Sequence, residues 1–161
     1  PLEPPQPDEA SMLDDMVQGS EGVREQLDTR LRHVRECLAV WRRGDVQGSL
    51  AAAAGGSDDG AVCDVMSCLA KVPHSLTLDS FVTLLPRLAK LLSSTNQDHA
   101  VSSMHAIQVL VRTFSDLIRL SLSGPHPPGV DITAEERRRK CWDLHKELRA
   151  ACASEGGLGG L

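Results

Sequence analysis

Two Cys/His pairs have the type and spacing of metal ligands, His33 with Cys37 and Cys141 with His145. Residues four apart share a helix face, and zinc takes about four such ligands, or three plus water. Brought together across two helices, the pairs would complete a site. The plainer explanation is core packing, because Cys is common on buried helix faces and the other His are scattered with no C-x-x-C to anchor a centre. We expect no metal and no cofactor. The adjacent acids Asp14–Asp15 and Asp58–Asp59 diverge by about 100° on a helix, so they suit caps and solvated charge rather than acid–base work on one substrate. No G-x-S-x-G, P-loop, H-E-x-x-H or dinucleotide fingerprint occurs. The expectation is therefore a domain that binds and is not an enzyme.

Binding chemistry is better represented. Arg137, Arg138, Arg139 and Lys140 form the densest charge block, partly offset by Glu135 and Glu136. With Arg24, Arg32, Arg35, Arg42 and Arg43 they are the candidate surface for an acidic polymer. Few aromatics are interleaved, so stacking on single-stranded nucleic acid fits poorly, and an acidic protein lattice fits better. The candidate partner-binding residues are Met12, Leu13, Met16, Val17, Leu27 and Leu31; adaptable Met side chains suit a partner groove.

Helices must carry these groups. The 161 residues allow one domain with a useful core, which must be aliphatic because Trp41, Trp142, Phe81 and Phe114 are the only aromatics. The net charge of -5 conceals an uneven distribution. Residues 1–21 hold six acids and no base, whereas residues 23–43 hold six Arg against two Glu and one Asp. Five Cys is an odd number, unlike a secreted disulfide framework, and implies reduced thiols in the cytoplasm. No signal peptide is visible, and no apolar run approaches the roughly 20 residues that span a bilayer. A start at Pro1 suggests a fragment whose other functions lie upstream.

In chain order, residues 1–10 read as a Pro-rich acidic linker, 11–153 as a helical interaction domain and 154–161 as a Gly-rich flexible tail. Ser11 is expected to open a short helix by a capping box with Asp14, broken at Gly19 and Gly22. A long helix follows to Arg43, with Val23, Leu27, Leu31, Val34, Leu38 and Trp41 on one face; its Leu27 to Trp41 part is expected to be mostly buried within the domain. Gly44 should take φ > 0, and Asp45 should cap a short Ala-rich helix. Ser57 or Asp58 should cap a third helix, ended by Pro73, and Thr77 a fourth that kinks at Pro86. The fifth, about 98–122, should be central, with Val101, Met104, Ile107, Leu110 and Phe114 inward. After a Pro/Gly loop at 124–129, a capping box of Thr133 and Glu136 should open the last helix, anchored by Trp142, Leu144, Leu148 and Cys152. No segment reads as a strand. The predicted fold is all-α, about six helices in antiparallel hairpins stacked as a small HEAT-like α-solenoid.

Four strings go beyond helical patterning: MLDDMVQG at 12–19, VWRRGDV at 40–46, TLLPRLAKLL at 83–92 and GVDITAEERRRKC at 129–141. Together they resemble the C-terminal domain of the katanin regulatory subunit, the non-catalytic, WD-repeat-bearing partner of a microtubule-severing AAA ATPase. The resemblance covers about residues 11–150. It implies a helical domain that forms a heterodimer with the N-terminal helical domain of the catalytic subunit. It further implies help in targeting the complex to microtubules and to minus-end or spindle-pole recruiting proteins, and a cytoskeletal location at centrosomes, basal bodies, cilia and spindle poles. The rival reading is a helical adaptor that captures amphipathic peptides without touching microtubules. Neither nucleic acid nor membrane is an expected partner.

Overall fold

A computed structural model describes residues 8–124 and 131–155. Six α-helices, α1 (Glu9–Arg42), α2 (Val46–Gly55), α3 (Asp59–Leu69), α4 (Leu78–Leu92), α5 (Gln97–Ser123) and α6 (Ile132–Glu155), and one 3₁₀ turn, Pro73–Ser75, joined by short connections, account for most of the described residues, with no strand among them. The chain is all-α. Helix α1 lies on α2 and α3, these lie on α4 and α5, and α6 closes the other side on α4 and α5.

Local chemistry accounts for most boundaries. Gly44 has φ 85°, so the chain reverses after α1 without a Cβ clash. The side chains of Asp45 and Asp58 accept from the Gly48 and Ala61 N–H groups, and Thr77 and Ser80 form a reciprocal capping box. Helix α4 continues through Pro86, which stands on its exposed side. The Asn96 side chain accepts from Asp98 N–H and opens α5.

Several expectations are overturned. Helix α1 begins at Glu9, with Asp8 rather than Ser11 at its N-cap, and runs unbroken through Gly19 and Gly22. A helical glycine costs about 1 kcal/mol but leaves the hydrogen-bond ladder intact, so it weakens α1 without breaking it. Asp131, not Thr133, caps α6, accepting from Ala134 N–H; Glu136 turns instead to Lys140. The inward set of α6 is Cys141, Leu144 and Ala151, with Leu148 partly buried, while Trp142 and Cys152 face out. That is a shift of one residue in phase. Val101 and Met104 of α5 are also exposed.

The fifth helix is central as expected, and α4 shares that place: α5 packs on α3, α4 and α6, while Phe81, Leu84, Leu85, Leu88 and Leu91 of α4 are buried against α2, α5 and α6. Small residues admit α5 closely: Ser103 Oγ donates to the Leu88 carbonyl at 2.6 Å, and Ala106 and Leu110 are buried beside it. Phe81 and Phe114 pack with ring centroids 5.9 Å apart. Helices this well covered fix the two ends of the stack. Of the earlier segment assignments, residues 1–7, the Pro125–Gly129 loop and residues 156–161 lie outside the described residues.

Candidate partner-binding surface

Helix α1 is held to the domain along its C-terminal part alone. His33 and Cys37 are its buried residues, with Arg30, Val34, Val40 and Trp41 half-buried beside them. His33 Nε2 donates to the Ala52 carbonyl at 3.1 Å, and Ser49 Oγ donates to the Cys37 carbonyl at 2.8 Å, which joins α1 to α2. Arg30 makes a bidentate pair with Asp64 of α3, both contacts at 2.7 Å. That hydrogen-bonded carboxylate raises the Arg30 pKa, and burial pushes the Cys37 thiol up. His33 and Cys37 thus serve the α1–α2 contact, and among the described residues no three His, Cys, Asp or Glu side chains gather as a metal site.

Every residue from Glu9 to Asp28 is exposed. Twenty residues of helix, about 30 Å at 1.5 Å per residue, therefore stand off the domain. Their outer side is apolar: Met12, Leu13, Met16, Val17 and Val23 are exposed, Met16 by 70%, and the stripe continues through Leu27 (58%), Leu31 (44%) and Leu38. The expectation that Leu27 to Trp41 is mostly buried fails for Leu27, Leu31 and Leu38. The domain grips α1 by the neighbouring face of His33 and Cys37, leaving the leucine stripe in solvent. Large apolar residues scattered singly on a surface need no explanation; an aligned series of them, here interrupted at residues 18–22, makes this side of α1 the candidate interface.

Near Trp41 the stripe opens into a groove of about 410 Å³ between α1 and α3, walled by Val34, Leu38, Trp41, Val65, Leu69 and Val72. The α1 half of this groove follows the three-four spacing of the sequence. The α3 half depends on a tertiary pairing that periodicity does not report.

The candidate cations separate. Arg24, Arg32, Arg35, Arg42 and Arg43 are all exposed, Arg43 bonding through Nε to the Ala39 carbonyl. Arg24, Arg35 and Arg42 recur at eleven and seven residues, close to whole turns, so they edge the apolar stripe on one side. In the block 137–140, Arg137 and Arg139 are exposed. Arg138 instead donates to the Ser121 and Gly124 carbonyls at 3.0 and 2.9 Å, closing the C-terminus of α5. Lys140 bridges Asp79 of α4 at 2.7 Å and Glu136 at 2.9 Å. Arg138 and Lys140 therefore fasten α6 to its neighbours.

Comparison with known proteins gives this surface its context. A family model described as the con80 domain of katanin matches residues 18–157, a range that starts within α1, just after Met12 to Val17. The protein named Katanin p80 WD40 repeat-containing subunit B1 of Danio rerio is 32% identical over 123 residues, covering 76% of this chain and 18% of the relative. Its namesake in Xenopus tropicalis is 31% identical over 123 residues, 76% of this chain and 19% of the relative. The homolog KTN80.3 of Arabidopsis thaliana is 30% identical over 138 residues, 84% of this chain and 16% of the relative. The chain spans less than a fifth of the length of these curated relatives. Matched by the family model over most of its residues, and carrying the all-α architecture that the resemblance implied, the chain belongs to the con80 domain family of katanin.

Proposed function

We propose that this domain is a non-catalytic, regulatory scaffold of a katanin complex, whose α1 stripe clamps the N-terminal helical domain of the catalytic subunit. One observation carries the reading: twenty exposed residues of helix with apolar side chains along one side before and after residues 18–22, and no covering element among the described residues. Most helical stability in proteins comes from packing an amphipathic face, and this stretch of α1 has no such packing among the described residues. A partner that buries Met12, Leu13, Met16, Val17, Leu27 and Leu31 supplies that packing. The exposed arginines on α1, with Arg137 and Arg139, favour an acidic surface such as the microtubule lattice, and the complex would then act at the cytoskeleton, with minus-end and spindle-pole proteins recruiting it.

Co-expression with the catalytic subunit's N-terminal domain tests the partner face. Leu27→Asp with Leu31→Asp should abolish co-purification while leaving helical circular dichroism unchanged, because both side chains already face solvent. Leu13→Asp with Met16→Asp should weaken it as well. Undiminished co-purification of both variants would remove the α1 stripe from the interface. For the lattice, co-sedimentation of the heterodimer with microtubules should fall as salt rises, and insensitivity to salt would refute the basic-surface part. The α1–α3 groove favours one second reading, an adaptor that seats an amphipathic peptide segment beside Trp41. Binding of such peptides with no response to microtubules would support it.

A further inference from the structure

We infer that the outer face of α6, centred on Trp142, is a docking site for an acidic, unstructured peptide segment of a partner protein that carries an apolar side chain as anchor. This face lies at the other end of the stack from the α1 stripe and does not rest on the reading given to α1. Three observations carry it. Trp142 is 61% exposed, although tryptophan is the side chain with most apolar surface to gain by burial. The inner face of α6 is already satisfied by Cys141, Leu144 and Ala151, so the Trp has no part in holding the helix down. And the residues one turn to either side of it, Arg138, Arg139, His145 and Lys146, include no acid; two turns away the same face carries Arg149 on one side and the exposed Glu135 on the other, so its cations outnumber its acids.

Charge decides the kind of occupant. Arg139, Lys146 and Arg149 are exposed, and no carboxylate lies within ion-pair distance of any of them among the described residues. The nearby acid Glu136 is held by Lys140. Asp143 and Glu147 fall about 100° and 140° round the helix from Trp142, on the flank rather than in the field. The Trp142 ring packs beside that of His145 with centroids 6.2 Å apart and still leaves most of its surface in solvent. An exposed aromatic side chain flanked by Arg139, Lys146 and Arg149, none of them in an ion pair among the described residues, is the composition of a binding hot spot for an acidic peptide. A membrane surface would call for a broader apolar face than one Trp. Nucleic acid would call for more than one stacking ring, and the net charge of -5 opposes it.

The test uses the whole chain and a synthetic Glu-rich peptide with one central Leu, titrated by calorimetry. Saturable binding that weakens with salt is expected. Trp142→Ala should weaken it by roughly thirtyfold, the loss typical of an aromatic anchor, and Lys146→Glu with Arg149→Glu by about tenfold or more, both with unchanged circular dichroism. In a Trp41→Phe background, where Trp142 is the remaining tryptophan, the emission should shift to the blue on binding. The inference is overturned if the peptide fails to bind, if a Glu-only peptide binds as tightly as the Leu-bearing one, if Trp142→Ala changes nothing, or if an oligo-dT strand binds more tightly than either peptide.

Discussion

The helices at the two ends of the stack solve opposite problems. Helix α6 is covered along its inner face by apolar contacts and fastened by Arg138 to the end of α5 and by Lys140 to α4. Helix α1 is longer, 34 residues against 24, yet touches the domain only from about Thr29 onward. One end spends two of its cations on intramolecular work, keeps Arg139, Lys146 and Arg149 outside and exposes a single ring; the other ties Arg30 alone to a neighbouring helix and exposes a whole stripe. Composition does not separate these cases. Both helices are rich in Arg, and what differs is whether a neighbouring helix ends, as α5 does, within reach of the guanidinium.

The largest expected effect breaks the α1 end. Adding a Cβ at Gly56 would drive it into the buried His33 ring, so Gly56→Ala should cost about 1–3 kcal/mol in urea denaturation, the usual range for overpacking. Hydrogen exchange should then rise over residues 29–42 while α6 stays protected; equal loosening of both ends would show that they are not independent. Next, Arg138→Ala removes two bonds to backbone carbonyls and should cost about 1–2 kcal/mol, with exchange increasing at the C-terminus of α5 and the start of α6. Arg30→Ala sits between the ends in kind. Its pair with Asp64 has good geometry but is over a third exposed on both sides, so under about 1 kcal/mol is expected.

Smallest is the response to pH at the α6 end. Hydrogen bonding to Lys140 lowers the Glu136 pKa, so that contribution is present above the ordinary glutamate value and fades as pH falls through the lowered one. Hydrogen bonds to Asp79 and then Glu136 raise the Lys140 pKa, so its contribution is full below the ordinary lysine value and is lost as pH rises through the raised one. Thermal unfolding of Lys140→Met should consequently differ from wild type between those limits and converge with it at both extremes. Convergence at neutral pH would mean the bridge has no thermodynamic weight.

Much of the architecture was legible in residues whose signal is local. Asp45, Asp58 and Thr77 announce helix starts because a cap needs only its own next turn, and Gly44 announces a reversal because φ > 0 is a property of one residue. The failures share a cause. The stripe Leu27, Leu31, Leu38 and the face His33, Cys37 lie side by side on α1, and periodicity cannot tell which of two adjacent faces a neighbour will cover. Apolar content favoured the leucines, while the structure uses the His–Cys face because Ala52 and Ser49 of α2 offer a close, hydrogen-bonded fit there. The same ambiguity of phase placed Trp142 inside α6 instead of Cys141. Arg138 and Lys140 were read as solvent charge because their acceptors, Ser121, Gly124 and Asp79, are 14 to 61 positions away in sequence. Met12, Leu13, Met16 and Val17 fitted core and interface equally well by pattern alone, because periodicity does not report that α1 runs on past the last element it packs against; all four are exposed.

In mechanical terms, α1 is a beam clamped near one end. A partner that pulls sideways on Leu13 or Met16 acts about 20–25 Å from the nearest support at Arg30, so a small force at the tip becomes a large torque at the root. That torque is met first by the Arg30–Asp64 pair and the His33–Ala52 bond, and it passes from them into α3 and α2. Whatever grips the free end of α1 therefore gains leverage over the joint between α1 and the rest of the stack.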